Sequence, residues 1–301
     1  MRDSLGPLRQ QHTRPIGEFL PVDDLLLFGL NLRSFAPGGP MESLRRWLSM
    51  GFTMGLLPLL MSCQTAETGR ETAAIGSHPP ARVLFVGNSF TFWRGGLAPH
   101  LETLSDAMDP PLGYQAEQVV RGGASLEVMW NQTDAQDQIA SGNFDVVVLQ
   151  EDLPETDIAS FRKYSRKFVE AVRHAGARPI LFMAWEYDRL DWISLDEIIT
   201  AHQHMADQLQ VEVAPVGLAW RNSKIQQPDL NMYARDAEHP SVAGMFLSLM
   251  VIEGTISGID PVDRVPDALP IRGLQRLDGD ALQFLRSIAG QSIRQWNLQP
   301  R

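Results

Sequence analysis

Ser89, Asp236 and His239 have the residue types and placement of a nucleophilic device. Ser89 follows the apolar run Val83–Val86 and the pair Gly87-Asn88, in "VLFVGNSFTFW", so it stands where a buried strand ends in a sharp turn. Asp236 and His239 are three apart in "RDAEHPSVAG", Arg235 to Gly244. An aspartate at that spacing can accept a hydrogen bond from the imidazole Nδ1, which leaves Nε2 as a base toward a third group. Pro240 disfavours helical geometry at His239 and keeps the imidazole in an extended segment just before a helix. A serine hydroxyl beside such a base becomes a nucleophile. Each piece also has a plainer reading. A serine after a strand is commonly a turn or N-cap residue, and the Asp-His stretch reads equally as a surface loop in which Ser241 caps the next helix.

A second loop has the backbone to hold a developing anion. In "VVRGGASLEVMW", Gly122 and Gly123 follow the second apolar run, and consecutive glycines can present N–H groups to an oxyanion. The alternative is an ordinary strand-to-helix turn. Trp93, Trp130 and Trp185 also follow strand ends or these loops, where they could stack on sugar rings or fill the core. His202 and His204 are two apart on an expected helix and point to different faces, and no His-Glu-x-x-His occurs. Neither a metal nor another cofactor is expected.

Elements that could position these residues alternate along the chain. Apolar runs at Arg82–Val86, Tyr114–Val120, Phe144–Gln150, Arg178–Trp185 and Val211–Gly217 read as strands. Helical spacing marks the segments around Leu97–Met108, Ile158–Val172 up to Gly176, Leu195–Leu209, Ser241–Ile256 and Gly279–Trp296. Strands that are apolar without alternation need cover on both faces, and the helices between them supply it. The expected architecture is a doubly wound α/β fold, a three-layer sandwich around a parallel sheet of roughly five strands. Its ligand site should lie beyond the carboxyl ends of the strands. The C-terminal helix is expected to pack on that sheet.

Together, Gly87-Asn88-Ser89-Phe90, Gly123 and Asp236-Ala237-Glu238-His239 resemble the SGNH hydrolases, also called GDSL-type esterases, over about Ala81 to Pro261. No Gly-x-Ser-x-Gly elbow occurs, which separates the chain from the α/β-hydrolases proper. The resemblance implies a flavodoxin-like fold and a serine ester hydrolase. Ser89 would be the nucleophile, His239 the general base and Asp236 its orienting partner. The N–H groups of Ser89 and Gly123, with Gly122 beside them, would hold the oxyanion. One block departs. The family's Gly-x-Asn-Asp is replaced by "VVVLQEDLPE", which resembles the pattern of a bacterial branch of the family. The family asparagine falls near Asp152, whose charge would repel an oxyanion, so Gln150 is the expected third donor. The implied substrate is an O-acylated carbohydrate or another small ester. An acyltransferase using the same site, or a non-catalytic glycan-binding protein on the same fold, are the alternatives.

The chain has 301 residues, a net charge of -10 and one cysteine. That acidity and the absence of a long basic run argue against nucleic acid as a partner. A single cysteine excludes an internal disulfide. Its setting is "MESLRRWLSMGFTMGLLPLLMSCQTAETG", with Arg45-Arg46 before an apolar run from Trp47 to Leu60, then Leu60-Met61-Ser62-Cys63. The run is short for a membrane span, and the order of features resembles the signal of bacterial lipoproteins. Residues 1–62 are therefore expected to be an upstream extension plus signal peptide, with translation starting at Met41. Residues 63–80 would be a tether, and residues 81–301 the catalytic domain. The expected location is outside the cytoplasm, with Cys63 lipidated and anchored in a membrane. Expressed from Met41 in a diderm bacterium, the chain should fractionate with membranes, and Cys63→Ala should abolish lipidation. An intact mass with an uncleaved, unmodified Cys63 would contradict the assignment.

Overall fold

The computed structural model describes residues 81–266 and 268–299. The expected signal segment, Cys63 and the tether lie outside the described residues. Five strands, β1 (Arg82–Gly87), β2 (Gln115–Val120), β3 (Val146–Gln150), β4 (Arg178–Phe182) and β5 (Glu212–Ala214), form one parallel sheet in the order β2-β1-β3-β4-β5. The helices are α1 (Ser89–Phe92), α2 (Leu97–Ala107), α3 (Leu126–Gln132), α4 (Ala135–Ser141), α5 (Ile158–His174), α6 (Leu195–Leu209), α7 (Val216–Gln226), α8 (Val242–Ser257), α9 (Pro261–Arg264) and α10 (Gly279–Asn297). This is the flavodoxin-like three-layer sandwich expected from the strand composition.

The two-residue period of the strands divides the core. Val83, Phe85, Val146, Val148, Ile180 and Phe182 share one apolar cluster with α2, α7, α8 and α10. Leu84, Val86, Val147, Leu149, Leu181 and Met183 share the other with α3 to α6. Because both sets are buried, β3 is apolar at every position up to Gln150. The chain leaves β1 for one neighbour, β2, then returns across it to form β3 on the other side. The strand order therefore reverses between β1 and β3, and a crevice opens beyond their carboxyl ends. Ser89 follows the first of these strands and Gln150 ends the second.

Helix α8 delivers the histidine loop to that crevice. Ser241 caps it by accepting from the Gly244 N–H at 3.1 Å, and the helix is apolar on nearly all sides, as a fully buried helix must be. A side chain at Gly244 would meet the Met232 carbonyl at 2.3 Å and Trp220 at 2.6 Å, so only glycine lets the helix start this close to its neighbours.

Two expectations are corrected. Helix α10 packs on α8 and α7, not on the sheet. Residues Val211–Gly217 are not one strand. Pro215 has no N–H to donate to a ladder, so β5 ends at Ala214 and α7 begins at Val216. The Gly122-Gly123 turn leads from β2 into the short helices α3 and α4, whose seven-residue lengths are too brief to give a clear helical period in the sequence.

Candidate active site

The crevice brings Ser89, His239 and Asp236 into one hydrogen-bonded chain. His239 Nε2 lies 2.9 Å from Ser89 Oγ, and His239 Nδ1 lies 3.1 Å from Asp236 Oδ2. A carboxylate facing Nδ1 keeps the proton there, so Nε2 is the acceptor for the serine hydroxyl. Asp236 is itself fixed, since its Oδ1 accepts from the N–H groups of Glu238 at 3.1 Å and His239 at 2.9 Å. Burial alone would raise its pKa, but the two backbone donors and the imidazole outweigh burial and hold it below the ordinary value. The turn requires Ala237 at φ 57°, a left-handed conformation unusual for alanine. The Ala237 carbonyl accepts from Asp188 N at 2.9 Å, and the His239 carbonyl from Ala234 N at 2.7 Å.

Two aromatic side chains pack on the histidine ring, and a third holds its loop. Trp93 stacks on the imidazole with ring centres 3.8 Å apart, and Phe90 meets it edge-on at 5.8 Å. Trp185 donates from Nε1 to the Glu238 carbonyl at 2.9 Å and stacks on Trp220 at 3.8 Å. Trp185 is therefore a core residue, 1% exposed, and Trp130 packs away from the site against Phe168. Of the three tryptophans singled out, only Trp93 borders the reacting groups. His202 is buried, with Nδ1 donating to the Ile198 carbonyl, and burial lowers its pKa to about 4.

Behind Ser89 is a buried polar node that the sequence pattern did not reveal. The Asn88 N–H donates to Gln150 Oε1 at 2.7 Å, its Nδ2 donates to Asp152 Oδ2 at 2.8 Å, and its Oδ1 accepts from Phe90 N at 3.0 Å. Thr91 Oγ1 donates to Gln150 Oε1 at 3.3 Å, and Gln150 Nε2 donates to the Glu151 carbonyl at 3.0 Å. Both ends of the Gln150 amide are thus engaged beneath the turn, and the side chain is fully buried. The expected role as third oxyanion donor does not fit this placement. A side chain at Gly87 would meet Gln150 Oε1 at 2.6 Å, so glycine is what lets β1 pass this close. Asp152 is turned away from solvent as well. Tyr187 Oη donates to its Oδ1 and Oδ2 at 2.8 and 2.9 Å, alongside the Asn88 amide. Three consecutive polar residues at the end of an apolar strand, Gln150-Glu151-Asp152, were the available signal for this node.

Glu151 ties in the glycine loop. Its carboxylate accepts from Leu126 N at 3.2 Å and from Asp152 N at 2.9 Å. Arg121 N donates to the Gly87 carbonyl at 3.1 Å, which joins the loop to the turn before Ser89. Gly123 is left-handed at φ 63°, and a Cβ at Gly122 would lie 3.9 Å from Phe92 of α1. The glycine loop and the serine turn are therefore neighbours. Among the described residues no protein acceptor engages the N–H groups of Ser89 and Gly123, so both are open to an incoming oxygen. At the rim, Arg189 pairs with Glu155 at 2.7 Å and Glu238 at 2.6 Å, and Glu238 Oε1 lies 3.9 Å from His239 Nε2.

No protein-family profile and no curated protein matches the chain. Solved structures do. A protein from Slackia heliotrinireducens, placed among the SGNH hydrolases, is 26% identical with a TM-score of 0.51, covering 59% of this chain and all of its own. A DUF4886 family protein from Bacteroides uniformis is 16% identical with a TM-score of 0.57, covering 71% of this chain and 95% of its own. The α/β hydrolase LAE5, from the metagenome of Lake Arreo in Spain, is 14% identical with a TM-score of 0.50, covering 59% of this chain and 95% of its own. The first likeness extends to sequence, and the other two are likenesses of fold.

The node yields two predictions. Removing the Gln150 amide strands the buried Asn88 N–H and leaves a void, so Gln150→Ala should lose about 2–3 kcal/mol of stability. Because Asn88 keeps its other bonds, kcat per folded molecule should stay within about tenfold of wild type. Urea unfolding and kcat on the titrated enzyme test this, and a hundredfold loss of kcat at unchanged stability would return Gln150 to the oxyanion. The second prediction concerns pH. Burial raises the Glu151 pKa to about 7 and that of Asp152 to about 6. A folded state that holds a proton more tightly than the unfolded chain loses stability as pH rises from the unfolded pKa through the folded one. Between pH 5 and 8 wild-type stability should therefore fall as these groups ionise. Glu151→Gln, which keeps an acceptor for Leu126 N, should flatten that decline. An equal decline in variant and wild type, read from urea midpoints at both pH values, would show that Glu151 does not ionise in this window.

Proposed function

We propose that this chain, a member of the SGNH hydrolase superfamily, is a serine carboxylic ester hydrolase that removes acyl groups from a carbohydrate or another small ester. The observation that carries the reading is the unbroken hydrogen-bond chain from Ser89 Oγ through His239 to Asp236 at the point where the strand order reverses. The reaction follows from that chain. Ser89 Oγ attacks the ester carbonyl as His239 Nε2 takes its proton, and Asp236 stabilises the imidazolium that results. Negative charge grows on the carbonyl oxygen, where the N–H groups of Ser89 and Gly123 are the available donors. Each such donor is worth about 3 kcal/mol in the transition state. The tetrahedral intermediate collapses with loss of the alkoxide, which takes the proton from His239 and leaves the acyl group on Ser89. Water then attacks the acyl-enzyme, with His239 again removing a proton, and the acid departs as Ser89 regains its own. The lipid anchor at Cys63 and a site of action outside the cytoplasm belong to the same proposal, which rests for that part on the sequence alone.

Ser89→Ala should lower kcat for a short-chain ester such as 4-nitrophenyl acetate at least about 10⁴-fold with no loss of stability. The wild-type protein should be labelled at Ser89 by a fluorophosphonate, located by peptide mass. Unchanged turnover in the variant, or labelling elsewhere, would remove Ser89 from the mechanism.

A further inference from the structure

A cavity lies at the turn Trp93–Gly95, beside the residues that contact the histidine loop. It has a volume of about 480 Å³ and is lined by Arg94, Arg272 and Arg276, together with His100 and Val242 at the start of α8. Among the described residues no carboxylate lines this cavity, and none of its three arginines forms an ion pair. Arg94 donates from Nε to the Pro240 carbonyl at 2.9 Å, and the Arg272 and Arg276 guanidiniums have no partner among the described residues. Three guanidiniums repel one another, and a chain with net charge -10 has ample carboxylates to neutralise them. Leaving them unpaired around one cavity is the arrangement of an oxyanion site, because the guanidinium fork matches carboxylate and phosphate oxygens.

The backbone ties this cavity to the catalytic residues. The turn at Trp93–Gly95 sends consecutive side chains in different directions, Trp93 onto the His239 ring and Arg94 into the cavity. That divergence needs Arg94 in the left-handed region, φ 55° and ψ 31°, a conformation costly for arginine. His100 Nε2 donates to the Arg94 carbonyl at 3.0 Å, and burial lowers its pKa. Arg94 also bonds the carbonyl of the residue directly after His239. Opposite, Gly273 is left-handed at φ 101°, and a Cβ there would come within 3.2 Å of Val242, so the loop bearing Arg272 is seated against the first turn of α8. The sequence neighbours Trp93 and Arg94 thus border the His239 ring and the cavity respectively.

We propose that this cavity is an anionic subsite and that the physiological ester carries a carboxylate, or a phosphate, on the same molecule. The proposal rests on the ester-hydrolase reading for what happens at Ser89, but not for what binds the arginines. Two oligosaccharides with the same acyl group test it, an O-acetylated oligogalacturonate and an O-acetylated xylo-oligosaccharide. At low ionic strength kcat/KM should favour the acidic sugar at least tenfold, and added salt should erode the preference. The double variant Arg272→Gln/Arg276→Gln should lower the acidic-to-neutral ratio at least tenfold. A ratio near one in the wild type, or one unmoved by the double variant, overturns the subsite while leaving the hydrolase standing. Calorimetry on Ser89→Ala with unacetylated oligogalacturonate and with inorganic phosphate reads the cavity without catalysis. Arginine-dependent binding of either anion supports the subsite, and the tighter of the two identifies the group. Such binding in a protein that hydrolyses neither sugar nor 4-nitrophenyl acetate would sink the hydrolase reading and keep the subsite. Absence of binding to both anions would overturn the subsite.

Discussion

The geometry of the site depends on how Asn88 is held where β1 ends. A strand buried on both faces must stop, turn and expose one serine, and the backbone groups freed by the turn cannot be left unpaired in the core. β3 supplies the partners from its own carboxyl end. Gln150 takes the Asn88 N–H, Asp152 takes the Asn88 amide, and Asn88 Oδ1 takes the N–H of Phe90. Sequence order alone does not bring these residues together, since Asn88 and Gln150 are 62 positions apart. The parallel register of β1 with β3, Val86 beside Leu149, does so. The first helical turn after Ser89 is thus fixed by long-range pairing rather than by its own four residues, which are too few to be stable alone.

The base is positioned by a different physical means. The histidine loop contains a left-handed alanine and a proline, and its Asp236–His239 hydrogen bond is joined by ring packing from another segment. Phe90 and Trp93 belong to the serine segment itself, so the imidazole rests on residues one and four positions beyond Ser89. Trp185, stacked on Trp220 and buried against Phe90, reaches across to the Glu238 carbonyl. A change that shifts this aromatic cluster moves nucleophile and base together, which preserves their 2.9 Å contact better than two independent supports would.

Much of this was legible in the sequence, for identifiable reasons. Continuous apolar runs with β-branched residues, as in "FDVVVLQ", have one stable setting, between two layers of helices, so the fold class followed. Ser89, Asp236 and His239 stood at places where strand ends and a proline limit the backbone. The role of Gln150 was not legible, because a glutamine at a strand end can point into the crevice or under it. Its direction is decided by the neighbouring turn, whose Asn88 N–H needs an acceptor. The same limit hid Tyr187, whose hydroxyl reaches Asp152 from after β4, and the stacking of Trp93 on His239. Contacts between loops of different strands have no local period to betray them.

Buried acidic groups next to an anionic transition state pose an electrostatic problem, and their distribution answers it. Three carboxyl groups, Glu151, Asp152 and Glu238, border the serine and histidine loops. Glu238 is closest to the base, 3.9 Å from His239 Nε2, and there its charge can favour the imidazolium of the transition state. Its other oxygen is paired with Arg189, which reduces the field it casts on the reacting carbonyl. Among the described residues Asp152 and Glu151 have no cation partner, and are instead buried among hydrogen-bond donors, with pKa values raised to about 6 and about 7. A protonated or donor-saturated carboxyl keeps the turn in place with less repulsion toward an oxyanion than a free carboxylate would exert. That difference explains how an aspartate can occupy the place of the family's oxyanion asparagine. Asp152 is turned toward Asn88 and Tyr187, and in the proposed mechanism the N–H groups of Ser89 and Gly123 meet the oxyanion.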